Sequence, residues 1–237
     1  MRADHAPLLR ARGVVKRVGS GRARQAVLRG VDLDVEPGEM VAVLGRSGSG
    51  KSTLLHLLGG LDRPDSGRIG IAGTEITGAS DRLLDRVRLH EVGFIFQSFQ
   101  LIEELTGTEN VQLAARLPGA PRGGRRRAAA LIERLGVAAV SDHRPHELSG
   151  GEQQRFAIAR ALVNDPGLVL ADEATGNLDS SSAATVLGIL GELAGEGRAV
   201  VLVTHEPQSA RAADRILHLV DGQLRAVEAP APSRRGR

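Results

Sequence analysis

A glycine-rich loop lies between two short apolar stretches in the first quarter of the sequence. Residues 45–53 read GRSGSGKST and contain the spacing G-x-x-x-x-G-K-[ST]. Glycines allow successive backbone N–H groups to point at phosphate oxygens, and a helix that begins after such a loop adds partial positive charge. Lys51 is therefore expected to reach the β- and γ-phosphates of a nucleotide, and Ser52 to ligate Mg²⁺.

The alternative interpretation of this loop is an ordinary glycine-rich turn. The apolar run 40–44 predicts a short buried strand before the loop, and residues 54–58 predict a helix after it. This strand–loop–helix order favours nucleotide binding. The residues of the loop predicted to contact the nucleotide are Gly45, Arg46, Ser47, Gly48, Ser49, Gly50, Lys51, Ser52 and Thr53.

Two adjacent carboxylates follow another apolar run, residues 168–171. Open α/β sheets bind ligands at the carboxyl ends of their strands, which is where Asp172 and Glu173 would stand. We expect Asp172 to hold Mg²⁺ and Glu173 to act as the general base that orients an attacking water. A strand that runs into an acidic helix cap is the more ordinary interpretation, but the phosphate-binding loop favours the catalytic one.

A second candidate anion site is the segment 148–155, LSGGEQQR. Its two glycines open a predicted helix, so that exposed N–H groups and the helix dipole again suit an anion. The alternative is that Ser149 is an ordinary helix N-cap. The sequence therefore predicts two phosphate-binding helix starts at different places in one chain.

The elements that must position these residues alternate between strands and helices, which predicts a parallel sheet. Residues 27–35 form an alternating, hairpin-like pattern that ends at Pro37-Gly38, and residues 216–220 and 224–227 predict a hairpin with a type I′ turn at Asp221-Gly222. Further strands are predicted at 40–44, 70–73, 168–171 and 199–203. Helices are predicted at 80–90, 125–135, 151–162, 180–193 and 208–213.

Composition excludes several classes of protein. The 237 residues contain no cysteine, so disulfides, cysteine-bound metals and thiol catalysis are excluded. We find no apolar run near the roughly 20 residues of a membrane helix, and no secretory signal at the N-terminus. Of 31 basic residues only two are lysines, and one of them, Lys51, stands in the glycine-rich loop. The net charge is only +3, so no nucleic-acid partner is expected.

Together these residues resemble the motifs of the ABC ATPases. LSGGEQQR looks like the ABC signature sequence, residues 45–53 resemble the Walker A motif and residues 168–173 resemble the Walker B motif. The resemblance runs from about Leu9 to Val227 in the family's order and spacing. Within the family, the chain looks most like the group of MacB, LolD and FtsE.

Three further residues gain a role from the resemblance. Gln97, in FIFQSF, resembles the Q-loop glutamine, which implies contact with Mg²⁺ or the attacking water. His205 resembles the switch histidine, which implies a bond to the γ-phosphate. Asp179 ends the segment GNLD, which resembles the D-loop and implies a position across a dimer interface. By itself, a lone histidine or glutamine is usually structural.

The resemblance also implies a fold and a domain organisation. We expect a P-loop NTPase (RecA-like) α/β core with an N-terminal antiparallel β portion and an inserted helical subdomain. Residues 1–228 would be a single ABC ATPase domain, its core at about 8–93 and 161–228 and its helical subdomain at about 94–160. Residues 229–237 would be a disordered basic tail.

In this family two subunits pack head to tail, with ATP between the P-loop of one and the signature loop of the other. The resemblance therefore implies that Ser149, Gly150 and Gly151 contact the γ-phosphate bound to a second copy of the chain. It would explain why one chain carries two phosphate-binding helix starts. The implied cofactors are ATP and Mg²⁺.

The expected function is ATP hydrolysis that drives a separately encoded integral membrane permease of the export or extraction type, for lipoproteins, peptides or macrolides. The chain would be cytoplasmic and peripheral on the inner face of the membrane. The alternative is an FtsE-like regulatory clamp that signals through a membrane partner without transport. An ATPase acting on nucleic acid or ribosomes is disfavoured, because the chain has one ATPase unit and no long coiled-coil insert.

Three positions depart from the family pattern. Val18 stands where the family usually stacks an aromatic residue on adenine, and the four phenylalanines lie elsewhere, at 94, 96, 99 and 156. This predicts weaker nucleotide binding and poorer discrimination of ATP from GTP, because an aromatic contact is worth about 1 kcal/mol. Ala174 replaces a proline after the catalytic glutamate, a change that we expect to be tolerated. Glu103 replaces another proline, in a segment expected to face the membrane partner.

Overall fold

The computed structural model describes residues 6–19 and 25–226. The tail predicted at 229–237 lies outside the described residues. The strands are β1 (Leu9–Val18), β2 (Gln25–Val35), β3 (Met40–Leu44), β4 (Ser66–Ile71), β5 (Thr74–Glu75), β6 (Val92–Ile95), β7 (Leu168–Asp172), β8 (Ala199–Thr204), β9 (Arg215–Val220) and β10 (Gln223–Ala226). The helices are α1 (Lys51–Leu58), α2 (Asp81–His90), α3 (Gly107–Ala115), α4 (Gly124–Arg134), α5 (Gly150–Leu162), α6 (Ser180–Gly195) and α7 (Pro207–Ala210).

The main sheet has six strands in the order β10-β9-β3-β8-β7-β6. All neighbouring pairs from β9 to β6 are parallel, and β10 alone pairs antiparallel to its neighbour β9. The register pairs Leu44 with Thr204 and Asp172 with Val203. The carboxyl ends of β3, β8 and β7 therefore lie side by side, and the loops that leave them meet at one edge of the sheet.

Apolar side chains cover both faces of this sheet, as parallel sheets require. On one face Val41, Leu168 and Val203 pack in a core shared with α1 and the second sheet. On the other face Met40 and Val169 pack in a core shared with α5 and α6. Alternate residues of one strand thus enter different cores, and the sheet is the rigid layer between them.

The second sheet has four strands in the order β2-β1-β4-β5, all antiparallel. It confirms the predicted antiparallel portion, but the hairpin-like interpretation at Pro37-Gly38 was wrong. Strand β2 pairs with β1, and the turn carries the chain into β3 of the main sheet. In this turn the N–H of Glu39 donates to the carbonyl oxygen of Glu36 at 3.1 Å, and Gly38 takes a φ of 80°.

The region between β6 and β7 contains α3, α4 and α5, with short 3₁₀ turns at Ala138–Val140 and Pro145–Glu147. Helix α3 was not predicted, although Thr106 and Glu109 form a capping box at its start. Strand β6 was not predicted either. Its Phe94 and Ile95 pair with β7 in the main sheet, although the predicted helical subdomain began at residue 94.

The C-terminal hairpin is confirmed. Asp221 and Gly222 take φ values of 51° and 77°, as a type I′ turn requires, and Val220 pairs with Gln223. Two other boundaries were wrong: Ala72 and Gly73 form the turn between β4 and β5 rather than part of a strand, and α7 ends at Ala210 rather than near residue 213.

We predict that Gly59→Ala lowers the free energy of unfolding by about 1–3 kcal/mol, the usual cost of overpacking. A Cβ at Gly59 would lie 2.0 Å from Cζ of Phe94 and 2.8 Å from Cδ1 of Leu170, which are both held in the main sheet. The measurement is the midpoint of urea unfolding.

The matched control is Gly188→Ala, in the middle of α6, where no atom lies within 4 Å of an added Cβ. This substitution should stabilise the chain by about 0.5–1 kcal/mol, because alanine favours a helix over glycine. Equal midpoints for the two variants would contradict the close packing of Phe94 against α1.

Candidate functional site

The glycine-rich loop leaves β3 and enters α1 at Lys51. Gly48 and Gly50 take φ values of 75° and 99°, and a Cβ at Gly50 would lie 2.5 Å from Cγ1 of Val27. Gly50 is also the N-cap of α1 and provides no side-chain hydrogen bond to the first turn. The loop therefore has no side chain at Gly48 and Gly50, and the first N–H groups of α1 remain available to an anion.

The Lys51 side chain is only 4% exposed. Its Nζ donates to the carbonyl oxygens of Gly45 at 3.0 Å and Arg46 at 3.1 Å. It also lies 3.4 Å from Oε1 of Glu173. A buried ammonium group needs acceptors of this kind, since an unpaired one would be strongly destabilising.

Glu173 stands directly after β7 and links two strands of the sheet edge. Its N–H donates to the carbonyl oxygen of Val203 on β8 at 2.9 Å, and its φ of 45° turns the chain sharply away from the strand. Its Oε2 lies 3.1 Å from Nδ1 of His205. One carboxylate thus contacts Lys51 through one oxygen and His205 through the other.

Ser52 and Asp172 form a second pair at the same edge. The Ser52 hydroxyl donates to Oδ1 of Asp172 at 3.1 Å. Burial raises the pKa of Asp172, a change that the hydrogen bond from Ser52 opposes and the nearby charge of Glu173 reinforces. A buried carboxyl whose charged form is disfavoured is a group that a cation would stabilise.

The donor set fits Mg²⁺ held together with a nucleotide. No group of three or more histidine, cysteine, aspartate or glutamate side chains suited to a metal occurs in the described ranges. Mg²⁺ at phosphate sites, however, takes one or two protein ligands and completes its shell with phosphate oxygens and water. Ser52 and Asp172 supply a hydroxyl and a carboxylate, and the amide oxygen of Gln97 is the third candidate.

Lys51, Ser52, Gln97 and Glu173 border an open cleft of about 440 Å³, whereas Asp172 and His205 are not among its lining residues. Its lining comprises Val18, Val27, Ser47, Gly48, Gly50, Lys51, Ser52, Thr53, Gln97 and Glu173. A larger cleft of about 820 Å³ lies along the other side of the loop, between β2 and the β9–β10 hairpin. The smaller cleft is the candidate site, because it contains the ammonium, the hydroxyl, the amide and the carboxylate together.

Gln97 follows β6, lines this cleft and pairs with Asn177, a residue without a predicted role. Its Nε2 donates to Oδ1 of Asn177 at 3.3 Å, and Nδ2 of Asn177 donates to the carbonyl oxygen of Gln97 at 3.1 Å. Asn177 was quoted only as part of the D-loop resemblance, and no spacing in the sequence indicates that it pairs with a residue 80 positions earlier.

The segment that resembles the ABC signature lies outside the cleft. Ser149 is the N-cap of α5 and forms a capping box with Glu152, whose pKa is held below its usual range by the Ser149 hydroxyl and N–H. Gly151 packs so closely on α6 that an added Cβ would lie 2.6 Å from Oγ of Ser182. Gly150 follows the cap as the first residue of α5, and none of the three predicted residues Ser149, Gly150 and Gly151 lines the cleft.

Asp179 is likewise outside the cleft. It is the N-cap of α6, and its carboxylate accepts hydrogen bonds from the hydroxyls and N–H groups of Ser181 and Ser182. Those bonds, the Ser181 hydroxyl first, hold the pKa of Asp179 well below its usual range. The carboxylate is therefore fixed and charged at the start of a helix.

A buried hydrogen-bond network that the sequence did not reveal joins the loops after β7 and β8. The Thr175 hydroxyl lies 3.2 Å from the Ser209 hydroxyl, and Ser209 donates to Oε2 of Glu206 at 2.8 Å. Thr175 and Ser209 are both buried. The network connects the loop that carries Glu173 to the loop that carries His205, so it helps to fix their separation.

Comparisons with known proteins agree with this geometry. A sequence profile of the family described as ABC transporter matches residues 28–176. The macrolide export ATP-binding/permease protein MacB 1/2 of Paracoccus denitrificans is 50% identical over 230 residues, which cover 95% of this chain and 34% of that protein. The pyoverdine export ATP-binding/permease protein PvdT of Pseudomonas fluorescens is 48% identical over 220 residues, with coverage of 92% and 34%. The chain spans about a third of the length of these relatives.

Solved structures share the fold. The dimeric structure of MJ0796, a bacterial ABC transporter cassette, aligns with a TM-score of 0.83 and 39% identity over 91% of this chain and 96% of that one. A post-hydrolysis dimer of MJ0796 bound to ADP and Pi aligns with a TM-score of 0.83 and 38% identity over the same shares. These similarities confirm the predicted P-loop fold. In the described part of the chain, no helix is long and apolar enough to cross a membrane.

We predict that the metal-free Asp172→Asn chain is more stable than the native chain at pH 7. Burial raises the pKa of Asp172, so keeping this carboxylate charged costs stability in the folded state. Below the usual aspartate pKa of about 3.9 the carboxyl is neutral in both folded and unfolded chains, so the difference should vanish there. The measurement is urea unfolding in EDTA from pH 7 to about pH 3.

The exposed Asp142→Asn substitution is the control and should leave the stability at pH 7 nearly unchanged, since Asp142 lies on the surface. If the Asp172→Asn chain were less stable than the native chain at every pH, the Asp172 carboxylate would stabilise the metal-free fold, and the prediction would be wrong.

Proposed function

The chain belongs to the ABC transporter family, and from that premise we propose that it binds ATP in the cleft at Lys51 and hydrolyses it as half of a dimer. The observation that carries this proposal is the contact of one carboxylate, Glu173, with both Lys51 and His205. A phosphate-binding ammonium, a candidate base and a histidine thus converge at the carboxyl edge of a parallel sheet, the usual place for ligands in such folds.

Glu173 is the proposed general base. In the described structure its two oxygens contact Lys51 and His205, so both oxygens are already engaged. Phosphate oxygens that enter the cleft would compete for Lys51, because they are stronger acceptors than the carbonyls it now contacts. Glu173 is then free to accept a proton from the attacking water, and His205 can donate to the γ-phosphate.

The remaining residues are proposed to bind and orient. The loop from Gly45 to Thr53 would hold the phosphates, and Ser52, Asp172 and Gln97 would hold Mg²⁺. When bound, Mg²⁺ neutralises phosphate charge as the transferred group develops it. Positioning and charge stabilisation are the main requirements of phosphoryl transfer, and this set of groups supplies both.

The second phosphate-binding helix start supports a dimer. Ser149, Gly150 and Gly151 open α5 outside the cleft, so they have no phosphate to contact within one chain. We propose that they contact the γ-phosphate bound to a second copy, packed head to tail, and that Asp179 lies at that interface. The dimeric form of the similar MJ0796 cassette agrees with this arrangement.

We also propose a membrane-spanning permease as the partner and the inner face of the membrane as the working place. The similar MacB and PvdT proteins are ATP-binding/permease proteins for macrolide and pyoverdine export. Export or extraction of a comparable substrate is therefore the proposed task. We propose residues 1–228 as one ABC ATPase domain, in which the helices between β6 and β7 form the subdomain that contacts the permease.

The decisive test of hydrolysis is Glu173→Gln, which keeps the shape of the side chain and removes its basicity. We expect Mg²⁺-dependent ATP turnover to fall at least about 100-fold, as for loss of a general base, and an ATP-bound dimer to accumulate in size-exclusion chromatography. The exposed Glu133→Gln on α4 should keep native turnover. Native turnover in Glu173→Gln would remove Glu173 from the mechanism.

The adenine contact gives a second test. Val18 lines the cleft and is 42% exposed, so no aromatic ring covers the base at this position. The native chain should bind ATP and GTP with similar affinity, and Val18→Tyr should tighten ATP binding about fivefold, equivalent to about 1 kcal/mol. Isothermal titration on the Glu173→Gln background measures both without turnover.

Leu61→Tyr is the matched control, because Leu61 is a similarly exposed apolar residue outside the cleft. It should leave both affinities unchanged. A strong preference for ATP in the native chain would show that another group recognises adenine.

A further inference from the structure

We infer that Asn177 is a positioning residue that sets which end of the Gln97 amide faces the cleft. The inference rests on the proposed hydrolysis of ATP and adds a residue to it. Asn177 lies in the loop between β7 and α6, and Gln97 lies in the loop after β6. The two side chains meet because β6 and β7 are neighbours in the main sheet.

The hydrogen bonds of this pair have only one possible polarity. The backbone carbonyl oxygen of Gln97 can only accept, so the atom of Asn177 that faces it at 3.1 Å must be the Nδ2 donor. The Oδ1 of Asn177 is then the atom 3.3 Å from the Gln97 side chain, and it can only accept a hydrogen bond. Only the NH₂ end of Gln97 can donate that hydrogen bond, so the Gln97 amide cannot flip without losing it.

This orientation matters for the cleft. With Nε2 committed to Asn177, Oε1 is the free end of the Gln97 amide, and within the described ranges no group donates to it. Oxygen is the atom that Mg²⁺ or a proton of an attacking water needs, whereas an NH₂ group would repel a cation. Asn177 therefore keeps the useful end of Gln97 available.

The loop around Asn177 is built to hold it in place. The N–H of Gly176 donates to the carbonyl oxygen of Glu173 at 2.9 Å, and the N–H of Leu178 donates to that of Thr175 at 3.1 Å. These two turns fix Asn177 relative to the candidate base. Both hydrogen bonds of the Asn177 side chain go to Gln97 and none to its own loop, so the side chain does not serve to cap or close the turn.

The segment that follows Gln97 is held by a second side chain, Arg160. Arg160 on α5 donates through Nη2 to the carbonyl oxygen of Phe99 at 2.8 Å and through Nη1 to that of Gln100. Phe99 and Gln100 both take positive φ values, 58° and 52°, which this arginine helps to maintain. Arg160 thus holds the segment that follows Gln97, and Asn177 holds the Gln97 side chain itself.

The test combines kinetics with a direct view of the amide. Asn177→Ala should lower kcat for ATP about tenfold, as loss of an orienting partner does, and leave KM nearly unchanged. In the Gln97→Ala background the same substitution should have no further effect, because Asn177 acts only through Gln97. Ser180→Ala, whose hydroxyl makes no hydrogen bond in the described part of the chain, is the control and should keep native kinetics.

A spectroscopic measurement is independent of turnover. In nucleotide-free protein, the side-chain NH₂ resonances of Gln97, identified by their loss in Gln97→Glu, should be shifted and slow to exchange in the native chain and lose both properties in Asn177→Ala. An unchanged Gln97 signal in Asn177→Ala, or an equal fall in kcat with and without Gln97, would overturn the inference. A native chain without turnover would refute the proposed hydrolysis, and the amide signal would still report the pairing.

Discussion

The site of this protein is arranged around one buried ammonium group, which needs acceptors from two parts of the chain. Lys51 is almost inaccessible to water, so its charge has to be met by acceptors from the protein. The carbonyl oxygens of Gly45 and Arg46 and the carboxylate of Glu173 provide them. Gly45 and Arg46 directly follow β3, and Glu173 directly follows β7. The carboxyl ends of these two strands must therefore be held at a fixed separation. The continuous apolar layers on both faces of the sheet supply that rigidity.

The same contacts relate the geometry of the site to its proposed chemistry. The two carbonyl oxygens that Lys51 contacts are weaker acceptors than phosphate oxygens, so phosphate can replace them without leaving the ammonium unpaired. Asp172 shows the complementary effect, since burial disfavours its charged form until a cation is present. A nucleotide would thus offer Lys51 stronger acceptors, and its metal would stabilise the charged form of Asp172.

Loops carry most of the chemistry, and hydrogen bonds between loops fix their relative positions. Thr175, Ser209 and Glu206 join the loops after β7 and β8, and Asn177 joins the loop after β7 to Gln97. Arg160 attaches the segment after Gln97 to α5, the helix whose start resembles the signature sequence. Arg160 thus links α5 to the segment that follows Gln97.

Local features of the chain can be predicted from its sequence. The loop 45–53 and the carboxylates after residues 168–171 are recognisable because their residues are adjacent in the chain, and turn chemistry at Asp221-Gly222 requires no distant partner. The alternation of strands and helices was enough to predict a parallel sheet. The order of these motifs indicated the family, which the profile and the solved structures confirm.

Contacts between distant residues, in contrast, depend on how the strands and loops pack. Strand β6 is short and contains Gly93, so its place in the main sheet depends on pairing with β7 and leaves little periodic signal. The turn at Pro37-Gly38 has the residues of a hairpin, yet β2 and β3 on its two sides join different sheets. Each strand joins the sheet in which its apolar side chains become buried. Contacts such as Ser52 with Asp172 and Gln97 with Asn177 join residues 120 and 80 positions apart. Their existence depends on the register of the parallel strands, because strand register sets which loop ends are neighbours. These strands are apolar on both faces, so their continuous apolar runs do not specify that register.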